Sequence, residues 1–166
     1  MANGYAMSAI LGTEDVMQAA QSTFISSTNW TEKIGPTAAL ATLKKYQQTQ
    51  AEQHLIHIGT KTKQIWQDAA DRTGLEISVS GLPTLASFEF KTKYAKELNT
   101  RFVIEMLKEG FLGFRQFKPS LTHGNNELKA YVKATSIVFQ ILKDLPVEQI
   151  ISSPAAHTGF HRLTRE

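Results

Sequence analysis

The chain has 166 residues, 42% hydrophobic and 20% charged, a composition typical of a folded globular protein and not of a disordered one. Its 18 Lys and Arg exceed its 15 Asp and Glu by only three, without a dense basic run, so binding to nucleic acid has little support. The sequence has no cysteine, which excludes disulfides. It also has no secretory signal and no apolar run near the ~20 residues that span a membrane, so we expect a soluble cytoplasmic protein.

The first 30 residues predict a strand, a helix and an irregular segment. Ser8–Gly12 is a short apolar run ending on glycine, which predicts a buried strand. Thr13 can cap a helix over about 14–20, whose two leading acids suit the positive end of the helix dipole. The segment 22–30 is rich in hydroxyl groups and has no period, which makes it the least generic stretch of the chain.

A long helical segment is predicted over about 30–73. Asn29 and Glu32 have the spacing of a capping box, and an apolar stripe at helical spacing follows them. Pro36 lies near the start and is expected to kink the helix because it lacks a backbone N–H. Gly74 is the predicted C-terminal stop.

Residues 75–143 predict an α+β module with a small antiparallel sheet. Alternating or apolar runs predict strands, and stripes at helical spacing predict helices. In chain order these are strand Leu75–Ser80, strand Thr84–Phe90, helix Tyr94–Glu109, strand Phe111–Phe117 and a helix that carries Leu128 to Leu142 and ends before Pro146. The last stretch, 154–166, is predicted to be polar and irregular.

Four segments resemble the class III aminotransferases, and most of all the glutamate-1-semialdehyde 2,1-aminomutase-like branch. They are N-G-Y-A-M-S-A-I-L-G at 3–12, S-T-F-I-S-S-T-N-W-T-E-K-I-G-P-T-A-A-L-A-T-L at 22–43, P-S-L-T-H at 119–123 and G-F-H-R-L at 159–163. The resemblance implies part of a fold type I α/β enzyme that uses pyridoxal 5′-phosphate. Residues 1–30 would be a remnant of the large cofactor-binding domain, 31–73 a connecting helical segment and 74–166 the C-terminal small domain.

The resemblance also implies that the chain is a C-terminal fragment without the catalytic lysine. The family's Schiff-base Lys precedes a turn like Asn3-Gly4-Tyr5, and alignment of that turn puts the Lys two positions before Met1. The family's enzymes are homodimers that act on small-molecule amino donors and acceptors. The isolated chain is therefore expected to be inactive.

The resemblance places one cofactor contact in this chain. The family's Thr before the long helix reaches the cofactor phosphate of the other subunit, and ungapped alignment puts it at Thr28, with Ser27 as the neighbour that shares the anion. If the alignment needs a gap, Thr23 takes this place. The alternative from the residues alone is that Ser26 to Thr28 cap a helix.

Other polar residues favour structural roles, and no metal site is expected. His54 with His57 and His157 with His161 have the spacing of two ligands on one helix face, but neither pair has a third ligand nearby. His123 is expected to hydrogen-bond locally in a turn. Arg115 lies on a candidate strand, but no alignment assigns it the family's substrate-carboxylate role.

The competing function is a non-catalytic binding or dimerisation module derived from such an enzyme. The pattern over 75–143 predicts a module that could fold by itself, whereas the segment 1–30 has lost its sheet. A truncated reading frame without function is the third alternative.

Overall fold

The computed structural model of the chain describes residues 1–152 and Ala155, which fall into two compact units. The first unit is Met1–Glu52, and the second begins at Gln53. The predicted irregular tail, including His157 and His161, lies outside the described residues except for Ala155. The domain boundaries implied by the resemblance remain a prediction.

The first unit contains two helices and long irregular segments. Helix α1 is Glu14–Ala20, as predicted, with Glu14 and Asp15 in its first turn. Its first turn closes through the Thr13 carbonyl, which accepts a hydrogen bond from the Met17 N–H at 2.9 Å. Helix α2 is Ile34–Gln48.

The strand predicted at Ser8–Gly12 is wrong. These residues are irregular, and Ile10 and Leu11 are 60% and 89% exposed. A strand is held by the backbone hydrogen bonds of a neighbouring strand. Residues 1–52 contain no strand that could supply them, so the apolar pattern alone does not produce a sheet.

The long helical segment breaks at a different place from the one predicted. Its first helix begins at Ile34 after Lys33, and the Asn29 carbonyl accepts the Glu32 N–H at 3.2 Å in a separate turn, so these two residues do not form a capping box. Pro36 lies in the first turn of α2, where its missing N–H removes no intrahelical bond. The interruption instead follows Gln48, and helix α3 is Ala51–Thr73.

The second unit confirms the predicted α+β module. Its remaining elements are β1 (Ile77–Ser80), β2 (Ala86–Phe90), α4 (Ala95–Lys108), β3 (Gln116–Phe117), α5 (Asn125–Asp144) and α6 (Val147–Ser152). The sheet is antiparallel in the order β1-β2-β3, with Ile77 opposite Phe90 and Ala86 opposite Phe117. Strand β3 is shorter than predicted, and α6 was not predicted.

Glycine ends α3 in the predicted way. Gly74 has φ +73°, a conformation that side chains with a Cβ rarely adopt, and its N–H donates to the Ala70 carbonyl at 2.8 Å. The chain thus leaves α3 and enters β1 after a short connection.

Aromatic rings on one sheet face and three helices form the core of the second unit. Phe88 in the central strand lies 4.9 Å from the ring of Trp66, 5.2 Å from that of Phe102 and 5.9 Å from that of Phe139. All four side chains are fully buried. Burial of this apolar surface supplies the main stabilisation of the unit.

Candidate functional site

The hydroxyl-rich segment predicted to contact the cofactor has two parts with different partners. The Ser22 and Thr23 hydroxyls each donate to a carbonyl at the end of α1, Ala19 and Ala20 respectively, at 2.7 Å. Thr23 therefore terminates α1 with its side chain. Ser27 Oγ accepts the N–H of Asn29 at 3.2 Å, which leaves the hydroxyl hydrogen of Ser27 to donate elsewhere.

A cleft of about 650 Å³ lies beside this segment, within the first unit. Ser26 and Ser27 form part of its wall, together with Trp30, Glu32 and the start of α2 at Gly35 and Pro36. Thr28 is exposed and is not one of the residues that line the cleft. The structure thus brings Ser27 to the cleft and leaves Thr28 on the surface of the same segment.

The beginning of α2 packs tightly against the N-terminal segment. Gly35 is buried, and a Cβ at this position would overlap the carbonyl oxygen of Ala6. Only glycine fits this approach without a backbone shift. The N–H groups of Ile34 and Gly35 at the start of α2 and the Ser26 and Ser27 hydroxyls are donors of the kind that bind a phosphate. The carboxylate of Glu32 repels an anion at the same place.

The first unit has almost no apolar core of its own. The buried residues of 1–52 are all alanine or glycine, namely Ala2, Gly35, Ala39 and Ala51. The large side chains instead face outward: Phe24 is 95% and Trp30 is 73% exposed. An exposed apolar surface of this kind is typical of an interface with other polypeptide.

The polar candidates of the second unit have partners within it. His54 Nε2 lies 3.0 Å from the carbonyl oxygen of His123, and Arg115 forms an ion pair of 2.9 Å with Glu89 on β2. His123 Nδ1 accepts the Ser120 N–H at 2.9 Å, which confirms its predicted local role. These bonds explain three candidates as structural residues.

Trp66 and Tyr131 form a buried polar pair that sequence reasoning missed. The indole Nε1–H of Trp66 donates to the hydroxyl of Tyr131 at 2.8 Å, across 65 positions of the chain. Burial raises the pKa of Tyr131 above its ordinary value of 10.0, because the phenolate would lose its hydration. The Trp66 hydrogen bond opposes this shift in part.

Replacement of Tyr131 by phenylalanine is expected to lower the free energy of unfolding by about 1–3 kcal/mol, since it leaves the buried Trp66 N–H without its acceptor. Because the folded pKa of Tyr131 is raised, its stabilising contribution is present below pH 10.0 and is lost as the pH rises through the folded pKa. Urea unfolding at neutral and at strongly alkaline pH measures this effect. The difference in free energy of unfolding between wild type and variant should be smaller at the alkaline pH. Tyr46→Phe, at an exposed site, is the control and should change little; an equal loss in both variants would contradict the prediction.

Comparison with known proteins supports the fold and names two similar proteins. No protein-family model matches the chain. Over 112 residues the chain is 28% identical to the 3-aminobutyryl-CoA aminotransferase of Cloacimonas acidaminovorans (strain Evry), a match that covers 65% of this chain and 27% of that protein. It also resembles, with a TM-score of 0.74 and 22% identity, the PLP internal aldimine form of the FumI protein of Sphingopyxis sp. MTA144.

The structural likeness to FumI covers 93% of this chain and 37% of the FumI chain. It confirms the predicted fold class: the chain has the fold of part of the FumI chain, with a small antiparallel sheet packed against helices. The chain thus spans well under half of the length of each of these two proteins. None of the helices in residues 1–152 is both long and apolar enough to cross a membrane.

Proposed function

We propose that the chain is the C-terminal part of a pyridoxal phosphate-dependent aminotransferase or aminomutase of class III, from the glutamate-1-semialdehyde 2,1-aminomutase-like branch. The observation that carries this proposal is the structural likeness to FumI over 93% of the chain. The sequence likeness to an aminotransferase supports the same reaction class. The complete enzyme would work as a homodimer on a small-molecule amino donor and acceptor.

The exposed apolar surface of the first unit supports an incomplete large domain. Each large apolar side chain left in water forgoes roughly 1.5–3 kcal/mol of burial energy. Phe24, Trp30, Leu11 and Leu40 are all at least 70% exposed, which a stable separate domain would avoid. The rest of the large domain and a second subunit would cover these side chains.

Ser27 and Thr28 would hold the cofactor phosphate of the other subunit. Pyridoxal phosphate supplies an electron sink for the reaction when it is bound. The Ser27 hydroxyl hydrogen is free of the Asn29 contact, and the Thr28 side chain is exposed, so both can donate to an anion that another subunit brings. Glu32 opposes an anion in the cleft, which favours Thr28 on the outer surface as the principal donor.

The catalytic lysine would lie in a part of the enzyme that this sequence does not contain. An amine must form the imine with the cofactor and move the proton of the substrate. Lys33, Lys44 and Lys45 are exposed, which supports their role as solvated surface charges. We therefore propose that residues 1–166 alone have no transaminase activity.

Two measurements test this proposal. The DNA upstream of Met1 should encode, in frame or after a frameshift, a segment that places a lysine two positions before Met1. The purified chain mixed with pyridoxal phosphate should show neither the visible absorbance of a specific imine nor amino transfer. Robust activity from residues 1–166 alone would refute the need for the missing lysine.

The phosphate contact is tested in the enzyme joined to its upstream segment. Thr28→Val should weaken cofactor binding roughly 10- to 100-fold, because a hydrogen bond to a charged group contributes about 1.5–3 kcal/mol. Thr23→Val is the matched control and should have little effect, since the Thr23 hydroxyl donates to the Ala20 carbonyl. If Thr23→Val weakens binding instead, the gapped alignment is right and Thr28 is not the contact.

The second candidate function is a non-catalytic binding or dimerisation module. The closed aromatic core of the second unit favours it, because such a unit can fold without the rest of an enzyme. Size-exclusion chromatography of the purified chain separates the two proposals. A chain that is monomeric and binds no copy of itself or of a full-length homologue would exclude the module.

A further inference from the structure

A cavity of about 240 Å³ opens in the second unit, and all its lining residues belong to that unit. Thr62 of α3 forms one wall, the segment 111–117 forms the second, and the N-terminal half of α5 with the preceding turn forms the third. The volume is below the range of roughly 300–1,000 Å³ that is typical for drug-sized ligands, so only a small ligand fits.

Four phenylalanine and tyrosine rings contribute to the cavity wall. Phe111 and Phe117 lie 5.5 Å and 6.3 Å from the ring of Tyr131, and Phe114 completes the wall with its ring about half exposed. Ring faces attract both apolar groups and organic cations, because their π-systems carry a negative face. The wall therefore suits a ligand with an apolar body and excludes strongly hydrated anions.

The lining also includes polar residues, among them His123, Tyr131 and Glu127. The His123 ring accepts the Ser120 N–H at Nδ1, so the proton of the neutral ring is on Nε2. The buried Tyr131 hydroxyl accepts the Trp66 N–H and also interacts with Thr135, so Tyr131 offers the cavity its ring. The Glu127 carboxylate is the formally charged group among the described lining residues.

Glu127 carries its negative charge beside His123 and forms no ion pair with a lysine or arginine of the described residues. Hydrogen bonds from its own N–H and from the Gly124 N–H hold the pKa of this carboxyl below its ordinary value, so it is ionised at neutral pH. The ion pairs found in the described residues do not include Glu127. The N-terminal dipole of α5 amounts to about half a positive charge, which the full negative charge of Glu127 exceeds.

Glu127 also caps the N-terminus of α5, and this hydrogen bond leaves other acceptor sites of its carboxylate unused. Its Oε2 accepts the Gly124 N–H at 2.9 Å, the carboxylate half of a capping box. An ionised carboxylate offers about four lone-pair sites, so capping occupies only part of them. Glu127 is an exposed residue of the cavity lining, so the remaining sites are open to an ammonium group that enters from solvent.

We propose that this cavity binds a small primary amine with an apolar, preferably aromatic, body: its ammonium group pairs with Glu127 and its body packs between Phe111, Phe114 and Phe117. The amine is selected because the cavity offers one anionic carboxylate, aromatic faces and no lysine or arginine in its described lining. This site does not depend on the proposed transaminase function, because every lining residue belongs to the second unit.

Calorimetric titration of the full chain with 2-phenylethylamine tests the site, with 2-phenylethanol and phenylacetate as the neutral and anionic probes. The amine should bind at least tenfold more tightly than either. Glu127→Gln should weaken binding of the amine at least tenfold. It should preserve the helix cap, because glutamine also accepts a hydrogen bond in a capping box. Glu148→Gln is the matched control, as Glu148 is an exposed acid in the first turn of α6 outside the cavity.

A second readout places the binding at the cavity. The chain has two tryptophans, so Trp30→Phe leaves Trp66, whose indole contacts the cavity residue Tyr131, as the reporter. The amine should change the fluorescence of Trp66, and Phe114→Ala, at a half-exposed ring, should weaken that response at least threefold. No amine binding, equal binding of the alcohol, or unchanged binding in Glu127→Gln would each overturn the proposal.

Discussion

Replacement of Phe88 by alanine is expected to lower the free energy of unfolding by about 3–5 kcal/mol, the largest loss that we expect from a single side chain. Phe88 is fully buried in the central strand, and its ring meets those of Trp66, Phe90, Phe102 and Phe139 within 4.9–5.9 Å. These neighbours come from α3, β2, α4 and α5, so no one element can move to fill the cavity. The free energy of unfolding of a typical domain is only about 5–15 kcal/mol, so this loss removes a large part of the stability.

Urea unfolding measures this loss, with circular dichroism and tryptophan fluorescence as parallel signals. Phe114→Ala is the matched control, because it removes the same ring from a site that is 52% exposed and should change stability by less than about 1 kcal/mol. A similar loss in the two variants would show that the ring cluster around Phe88 is not the stabilising core.

The helices of the second unit were predictable because their patterns are local. In α5 the buried side chains of Tyr131, Val138 and Leu142 recur at helical spacing, and Gly74 ends α3 by a conformation that depends on one residue. Such signals need no knowledge of distant parts of the chain. They therefore predicted α4, α5 and the end of α3 close to their observed positions.

Features that depend on distant partners were not predictable. The apolar run Ser8–Gly12 has strand composition, but a strand needs a neighbour that the run itself does not specify. The Trp66–Tyr131 pair joins residues 65 positions apart, and the cavity beside it combines Thr62, Phe114 and Glu127 from three parts of the chain. Ser27 and Thr28 became candidates only through the resemblance, because exposed hydroxyls have no distinctive pattern.

Replacement of Gly59 by alanine should destabilise the second unit, against the usual effect of this change in a helix. Helix propensity alone predicts that alanine raises the free energy of unfolding by about 1 kcal/mol. Gly59 is buried inside α3, however, and a Cβ there would overlap the carbonyl oxygen of Pro83. Because Pro83 begins the 3₁₀ turn between β1 and β2, the helix or the turn must shift, and we expect a net loss of about 1–3 kcal/mol or more.

The neighbouring Thr60→Ala is the control that isolates the steric effect. Thr60 is exposed on the same turn of α3, so alanine there should raise helix propensity without a clash and stabilise slightly. Opposite signs for Gly59→Ala and Thr60→Ala in thermal unfolding would locate the effect at the contact between α3 and the β1–β2 connection. Lys63, one turn further along α3, donates a hydrogen bond to the carbonyl of Gly81 in this connection at 2.9 Å. If the connection moves away in Gly59→Ala, this hydrogen bond also breaks and adds to the loss of stability. Stabilisation by both variants would mean that α3 does not approach the Pro83 backbone closely, because only that approach can reverse the sign at Gly59.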